Sequence, residues 1–269
     1  MIPERRRSQT FMANPSSSAL RRRLREAASE ELGQLLAEVA DALDPPALRQ
    51  IFANPFLDAE LIERLFDLPG VERSYEARRE AVRHVRTPRA LALKFVGGLY
   101  WVDLIRIGLD ARLHPVVRRA ADLRLIERLP TLAVGEKIAI ARAADAAVLA
   151  ALRHDPSAPV IAALLDNART TETLLMPFVA SERASPLALG AVARSARWAS
   201  RPVLRAALCR NPALPLPQAL ALLPGLGKRE LRAVAADPRL SPALRRKAGF
   251  LGADRGASPG RKAGSGRAD

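Results

Sequence analysis

Cysteine is nearly absent from this 269-residue chain. The one thiol, Cys209, excludes a disulfide framework and any multi-thiolate metal site, and it predicts a reducing, cytoplasmic setting. Histidine occurs three times, at His84, His114 and His154, too far apart in sequence to suggest a ligand set. Aromatics make up only 4% of residues, so stacking platforms have little to be built from. No uncharged apolar run reaches the roughly 20 residues that a membrane span needs. Arg5-Arg6-Arg7 is followed by polar residues and Pro15 rather than by the apolar stretch of a secretory signal. Strand signals are missing too, because Val, Ile and Thr never gather into alternating runs between Asn-Gly or Asp-Gly turns.

Ala, Leu, Arg and Glu are plentiful, and all four favour helix. After Ser16-Ser17-Ser18, leucines from Leu20 to Leu43 recur near helical spacing, which predicts one helix ending at Asp44-Pro45-Pro46. From there the chain is punctuated every 8 to 12 residues by a capping side chain beside proline, as in Asn54-Pro55, Asp155-Pro156, Asn211-Pro212 and Asp237-Pro238. Such a pair stops one helix and starts the next. Helices this short are marginal alone and need stacked neighbours.

An internal repeat is the strongest signal. Residues 83–121 fall on 210–248 at an offset of 127 with no gap, and fourteen of the 39 pairs are identical. Chance matching at ordinary residue usage gives roughly two to five. Upstream, Asp44-Pro45…Asn54 echoes Asp155-Pro156…Asn167 at a shifted offset. The reading is a helical repeat domain over 18–251, with related halves at 44–125 and 155–251 joined by 126–154. The Arg-, Ser- and Gly-rich ends, a basic arm at 1–17 and a tail at 252–269, are expected to be disordered.

Phe52-Ala53-Asn54-Pro55, Cys209-Arg210-Asn211-Pro212 and Ala236-Asp237-Pro238-Arg239-Leu240-Ser241-Pro242 carry an Ala-x-Asn/Asp-Pro-x-x-x-Pro rhythm. That rhythm resembles the bacterial HEAT-like repeats and the leucine-rich repeat variants. The resemblance covers about 44–251 and implies an all-α solenoid, a superhelix of short antiparallel helices that serves as a binding scaffold. It carries over no catalytic residue. The iron–sulfur cluster of some leucine-rich repeat variants needs a cysteine cluster, so no cofactor or metal is expected. HEAT-like DNA glycosylases pair tryptophan with a catalytic aspartate, but Trp101 and Asp103, two apart on one helix, point to different faces.

Net charge is +15, and its distribution matters more than its sum. Segment 31–70 is acidic, whereas the duplicated stretches 71–125 and 200–251 are strongly basic. Equivalent arginines recur as Arg78/Arg205, Arg112/Arg239, Arg118/Arg245 and Arg119/Arg246. Two readings stay open for them. They are helix-packing and dipole partners inherited with the repeat, or they line one ridge that faces a polyanion. Glu76 and Glu80 neutralise part of the first stretch, while the helix around Arg205 and Arg210 has no acid, so the second half is expected to be more positive. No His-Glu-x-x-His or Gly-x-Ser-x-Gly pattern occurs, and Gly225-Leu226-Gly227-Lys228 lacks the spacing of a phosphate loop. His84 and His114 occupy slots held by Asn211 and Ser241, which predicts turn hydrogen bonding for both. The sequence therefore predicts a non-enzymatic scaffold for a protein partner, with nucleic acid or another polyanion as the alternative.

Overall fold

The structure, a computed structural model, describes residues 15–39 and 43–257. Every regular element among them is helical, with eighteen α-helices, three short 3-10 turns and no strand. Two compact units divide at Arg124/Leu125. The first holds α1 (Pro15–Glu26), α2 (Ser29–Glu38), α3 (Pro45–Phe52), α4 (Ala59–Asp67), α5 (Tyr75–Arg83), α6 (Arg89–Val96), α7 (Trp101–Leu109) and most of α8 (Pro115–Arg128). The second holds α9 (Val134–Ala143), α10 (Ala146–Leu152), α11 (Ala158–Asp166), α12 (Glu172–Val179), α13 (Pro186–Arg194) and α14 (Ala196–Ala199). It continues with α15 (Pro202–Cys209), α16 (Leu216–Leu222), α17 (Lys228–Ala236) and α18 (Pro242–Ala257).

Local chemistry sets the helix starts. Asp44, Asp58, Ser74 and Thr171 each accept the backbone N–H three residues on, which satisfies one orphan donor of the first turn. Proline stands in the first turn of α3, α13 and α15, where its missing N–H costs nothing. Apolar residues three or four apart then face inward, such as Leu61, Ile62 and Leu65 on α4 or Ala77, Ala81 and Val82 on α5. In the first unit α1 packs on α3, α3 on α5 and α5 on α7. In the second α9 packs on α11, α11 on α13 and α13 on α16, while α10 packs on α12 and α12 on α15.

The offset of 127 extends through the element order. It pairs α1 with α10, α2 with α11, α3 with α12 and α4 with α13, then α5 to α8 with α15 to α18. At that offset Asn54 corresponds to Ser181, whereas the shifted echo of Asp44…Asn54 on Asp155…Asn167 aligns two asparagines that make the same set of bonds. The positions 127 before α9 are 7–16, which lie mostly outside the described residues.

Three sequence expectations shift at the N- and C-terminal ends. The helix predicted from Leu20 to Leu43 is two helices, broken at Ala27-Ala28. Of the basic arm, 15–17 belong to α1, and of the tail, 252–257 belong to α18. The remaining arm and tail residues lie outside the described residues.

The helix junctions repeat one device. At Asn54, Asn167 and Asn211 the side-chain oxygen accepts the N–H two residues on, at 2.7, 2.8 and 2.9 Å. The amide nitrogen of each reaches back to two carbonyls at the end of an earlier helix. Asn54 bonds Leu24 O and Ala27 O, Asn167 bonds Ala141 O and Ala144 O, and Asn211 bonds Val179 O and Ser181 O. All three are buried and fully used, so each asparagine closes its own turn and caps an earlier helix.

Candidate binding cleft

The eight duplicated arginines are not equivalent in use. Arg205 donates from Nε to Ala199 O and from Nη1 to Gly225 O, both at 2.7 Å. Its counterpart Arg78 lies against Gly98, where an added Cβ would stand 3.2 Å from Nη1. Arg118 and Arg245 are half-buried, and Arg245 Nε donates to Ala235 O at 3.3 Å. Arg112 and Arg239 close the same ring onto Asp110 and Asp237, through Nε at 3.0 Å and Nη2 at 2.7 Å in each copy. These hydrogen bonds hold the Asp110 carboxyl below the usual carboxylate range and pull that of Asp237 to about 2. Arg119 and Arg246 are exposed, with Arg119 Nε turned to Pro115 O. Six of the eight are thus half-buried in packing or tied to a neighbouring carboxylate. Of the eight, Arg239 lines a cleft.

That cleft lies in the second unit and has a volume of about 270 Å³. Met176 on α12, Ala180 at its end, Ala207 on α15 and Pro212 in the following turn give an apolar floor. Arg210 and Arg239 stand over it with Glu182, which accepts from Arg239 Nη1 at 2.5 Å. The Arg210 guanidinium makes no ion pair or hydrogen bond among the described residues.

The first copy shows what has changed. There Arg49, Glu76, Arg79 and Glu80 form a chain of ion pairs: Arg49–Glu76 at 3.5 Å, Arg79–Glu76 at 2.6 Å and Arg79–Glu80 at 2.7 Å. Arg83, the counterpart of Arg210, approaches Glu80 at 3.8 Å. At the corresponding positions the second copy has Met176, Val203, Ala206 and Ala207. Four charged residues have become four apolar ones, and Val203 is 59% exposed. Arg210 has kept the charge of Arg83 and lost its acid, while Arg239 stays held by Asp237 and Glu182. An apolar floor under an unpaired guanidinium suits a carboxylate carried on an apolar segment.

A second polar group went unread in the sequence. Asp103 is 6% exposed and accepts from Tyr75 Oη at 2.5 Å, while Tyr75 Oη in turn accepts from Tyr100 N. Burial and this carboxylate push the Tyr75 phenol up to about 12. The Tyr75 and Tyr100 rings lie 4.5 Å apart, so Tyr100 is a lid on that pair, with Tyr75 and Asp103 in the helix junction. Trp198 is buried and donates from Nε1 to Leu165 O, and Phe95 packs on Phe66; both are core residues.

His114 accepts the Val116 N–H on Nδ1 and Ser241 accepts that of Leu244, so both cap helices as their shared slot implies. His84 departs from expectation: its Nδ1 is buried with no partner. Cys209 is buried and its thiol is pushed up to about 12, which removes nucleophilic character. No group of three or more His, Cys, Asp or Glu side chains able to hold a metal occurs among the described residues, and no described helix is long and apolar enough to cross a membrane.

No family model, curated protein or solved structure matches the chain. What it does must therefore be argued from its own geometry.

Proposed function

We propose that this chain is a non-catalytic scaffold of the HEAT-like helical-repeat type, a cytoplasmic α-solenoid that binds a partner protein. The second unit takes an acidic, partly apolar segment of that partner in the cleft under Arg210 and Arg239. One observation carries the reading: the ion-pair chain of Arg49, Glu76, Arg79 and Glu80 is replaced by Met176, Val203, Ala206 and Ala207, beneath arginines that remain. Next-but-one helix packing and the recurring asparagine turns support the repeat architecture. Polyanion binding on the duplicated arginines draws less support, because most of those guanidiniums already serve carbonyls and carboxylates within the chain.

The test is selection of peptides from a random library on the full chain. Selected sequences should combine Asp or Glu with Leu, Met or Phe, and Arg210→Glu should weaken them about tenfold or more, whereas Arg119→Glu leaves them unchanged. Peptides without acids, or equal binding to Arg210→Glu, would overturn the reading. Random duplex DNA bound with a steep salt dependence, at equal strength by Arg210→Glu, would favour the polyanion alternative.

A further inference from the structure

A different place in the fold, in the first unit, combines a cavity with polar atoms that have nothing to bond. The turn 84–87 and the starts of α6 and α8 enclose about 200 Å³, several times the roughly 30 Å³ that one water occupies. Val82, Ala92, Leu113 and Val117 form its apolar walls, and Thr87, His84, His114 and Arg89 bring polar groups to it. None of the lining residues is acidic. Thr87 Oγ1 and His84 Nδ1 are both buried without a hydrogen-bond partner. An orphaned buried polar atom is costly, so two around one cavity require an explanation.

The second copy carries apolar residues at most of these places. Thr87 corresponds to Leu214, Arg89 to Leu216, Val117 to Leu244 and His84 to Asn211, which spends its amide on Val179 O and Ser181 O. Leu214 and Leu244 are buried there. In the first copy Arg86 has taken over the tie to the preceding turn, donating from Nη1 to Pro55 O at 2.8 Å and Leu57 O at 3.0 Å. That substitution releases residue 84 from the structural task its counterpart performs.

We infer that this pocket binds a small organic acid, its carboxylate taken by Thr87, His84, His114 and Arg89 and its compact apolar body by Val82, Ala92, Leu113 and Val117. The donor inventory fits. Thr87 supplies an O–H and His84 an Nδ1–H. Nδ1 of His114 already accepts from Val116 N, which leaves the proton on Nε2. Arg89 stands exposed at the rim, and its guanidinium makes no hydrogen bond or ion pair among the described residues. The α6 helix also starts there behind Pro88, which offers no side-chain cap, so its first-turn N–H groups lend further positive potential. The site is independent of the Arg210 cleft.

The experiment is an NMR titration of the full chain with acetate, isobutyrate and benzoate, and with isobutanol as the uncharged isostere of isobutyrate. The His84 and His114 ring signals should shift saturably with at least one acid, and isobutyrate should bind about tenfold or more tightly than isobutanol. His84→Asn and Thr87→Leu install residues the second copy already tolerates, so both variants should fold while binding falls about tenfold. Absence of saturable shifts with all three acids would overturn the inference, as would equal affinity for isobutanol. Undiminished binding to folded Thr87→Leu would overturn it as well.

Discussion

Arg205 ties the start of the second basic helix to the turn that follows its partner, because Nη1 bonds the carbonyl of Gly225 at 2.7 Å. With Nε on Ala199 O, the guanidinium staples two junctions around α15 and α16. Arg205→Met keeps the stem and removes both bonds. The second unit should then lose about 2–3 kcal/mol, since hydrogen bonds from a charged donor are worth about 1.5–3 kcal/mol and two carbonyls lose a partner. Gly225→Ala should act in the same direction, because a Cβ there collides with the Arg205 guanidinium. Urea denaturation checks both, with exposed Arg119→Met as the control, expected within about 0.5 kcal/mol of the parent chain.

The asparagine turns make a sharper prediction. Asn54, Asn167 and Asn211 are each buried, and each makes three hydrogen bonds that close a turn and cap an earlier helix. Replacement by alanine orphans two carbonyls and one N–H, at a cost of about 2–4 kcal/mol per site. Asparagine to aspartate should be no better, because a carboxylate has no proton to give the carbonyls. Chemical denaturation of the three alanine variants should show losses of similar size in either unit.

Much of this was legible. The Asp-Pro and Asn-Pro junctions, the offset of 127 and the all-helical class follow from side chains that act within a few residues of themselves. The break between α1 and α2 was not, because nothing in Ala27-Ala28 stops a helix. It is held by Asn54, 27 and 30 residues away, which bonds the carbonyls of Ala27 and Leu24. The cleft was only half visible. The missing acids around Arg210 can be read in one dimension, but the alignment of Arg49 with Met176 gains meaning only once α12 and α15 are side by side. Tyr75 and Asp103, 28 residues apart, gave no signal at all.

That phenol–carboxylate pair predicts an alkaline signature. A folded-state pKa raised above the unfolded value contributes stability that is complete below about pH 10 and is lost as pH rises through about 12. Ultraviolet titration should show one tyrosine ionising only near pH 12, and Tyr75→Phe should abolish that late step. At neutral pH the variant leaves Asp103 buried with its phenol partner gone, a cost of about 1–3 kcal/mol in denaturant unfolding.

At the acidic end the sign reverses. Asp237 is held at about 2 by its hydrogen bonds from Arg239, so its contribution is present above the ordinary carboxylate range near pH 4 and is lost as pH falls toward 2. Asp237→Asn should flatten the fall in the urea midpoint of the second unit across that window. Asp110→Asn should do the same in the first unit, where Arg112 makes the equivalent bonds.

The asparagine ties have a direction. In every case the donor lies 23 to 32 residues downstream of the carbonyls it seeks, never upstream. During synthesis each new turn therefore leaves the ribosome to find its acceptors already made, and growth from the N-terminus needs no waiting partner. Shortening the chain from its far end strands no amide, whereas trimming from the near end leaves a buried asparagine reaching for a helix that is gone.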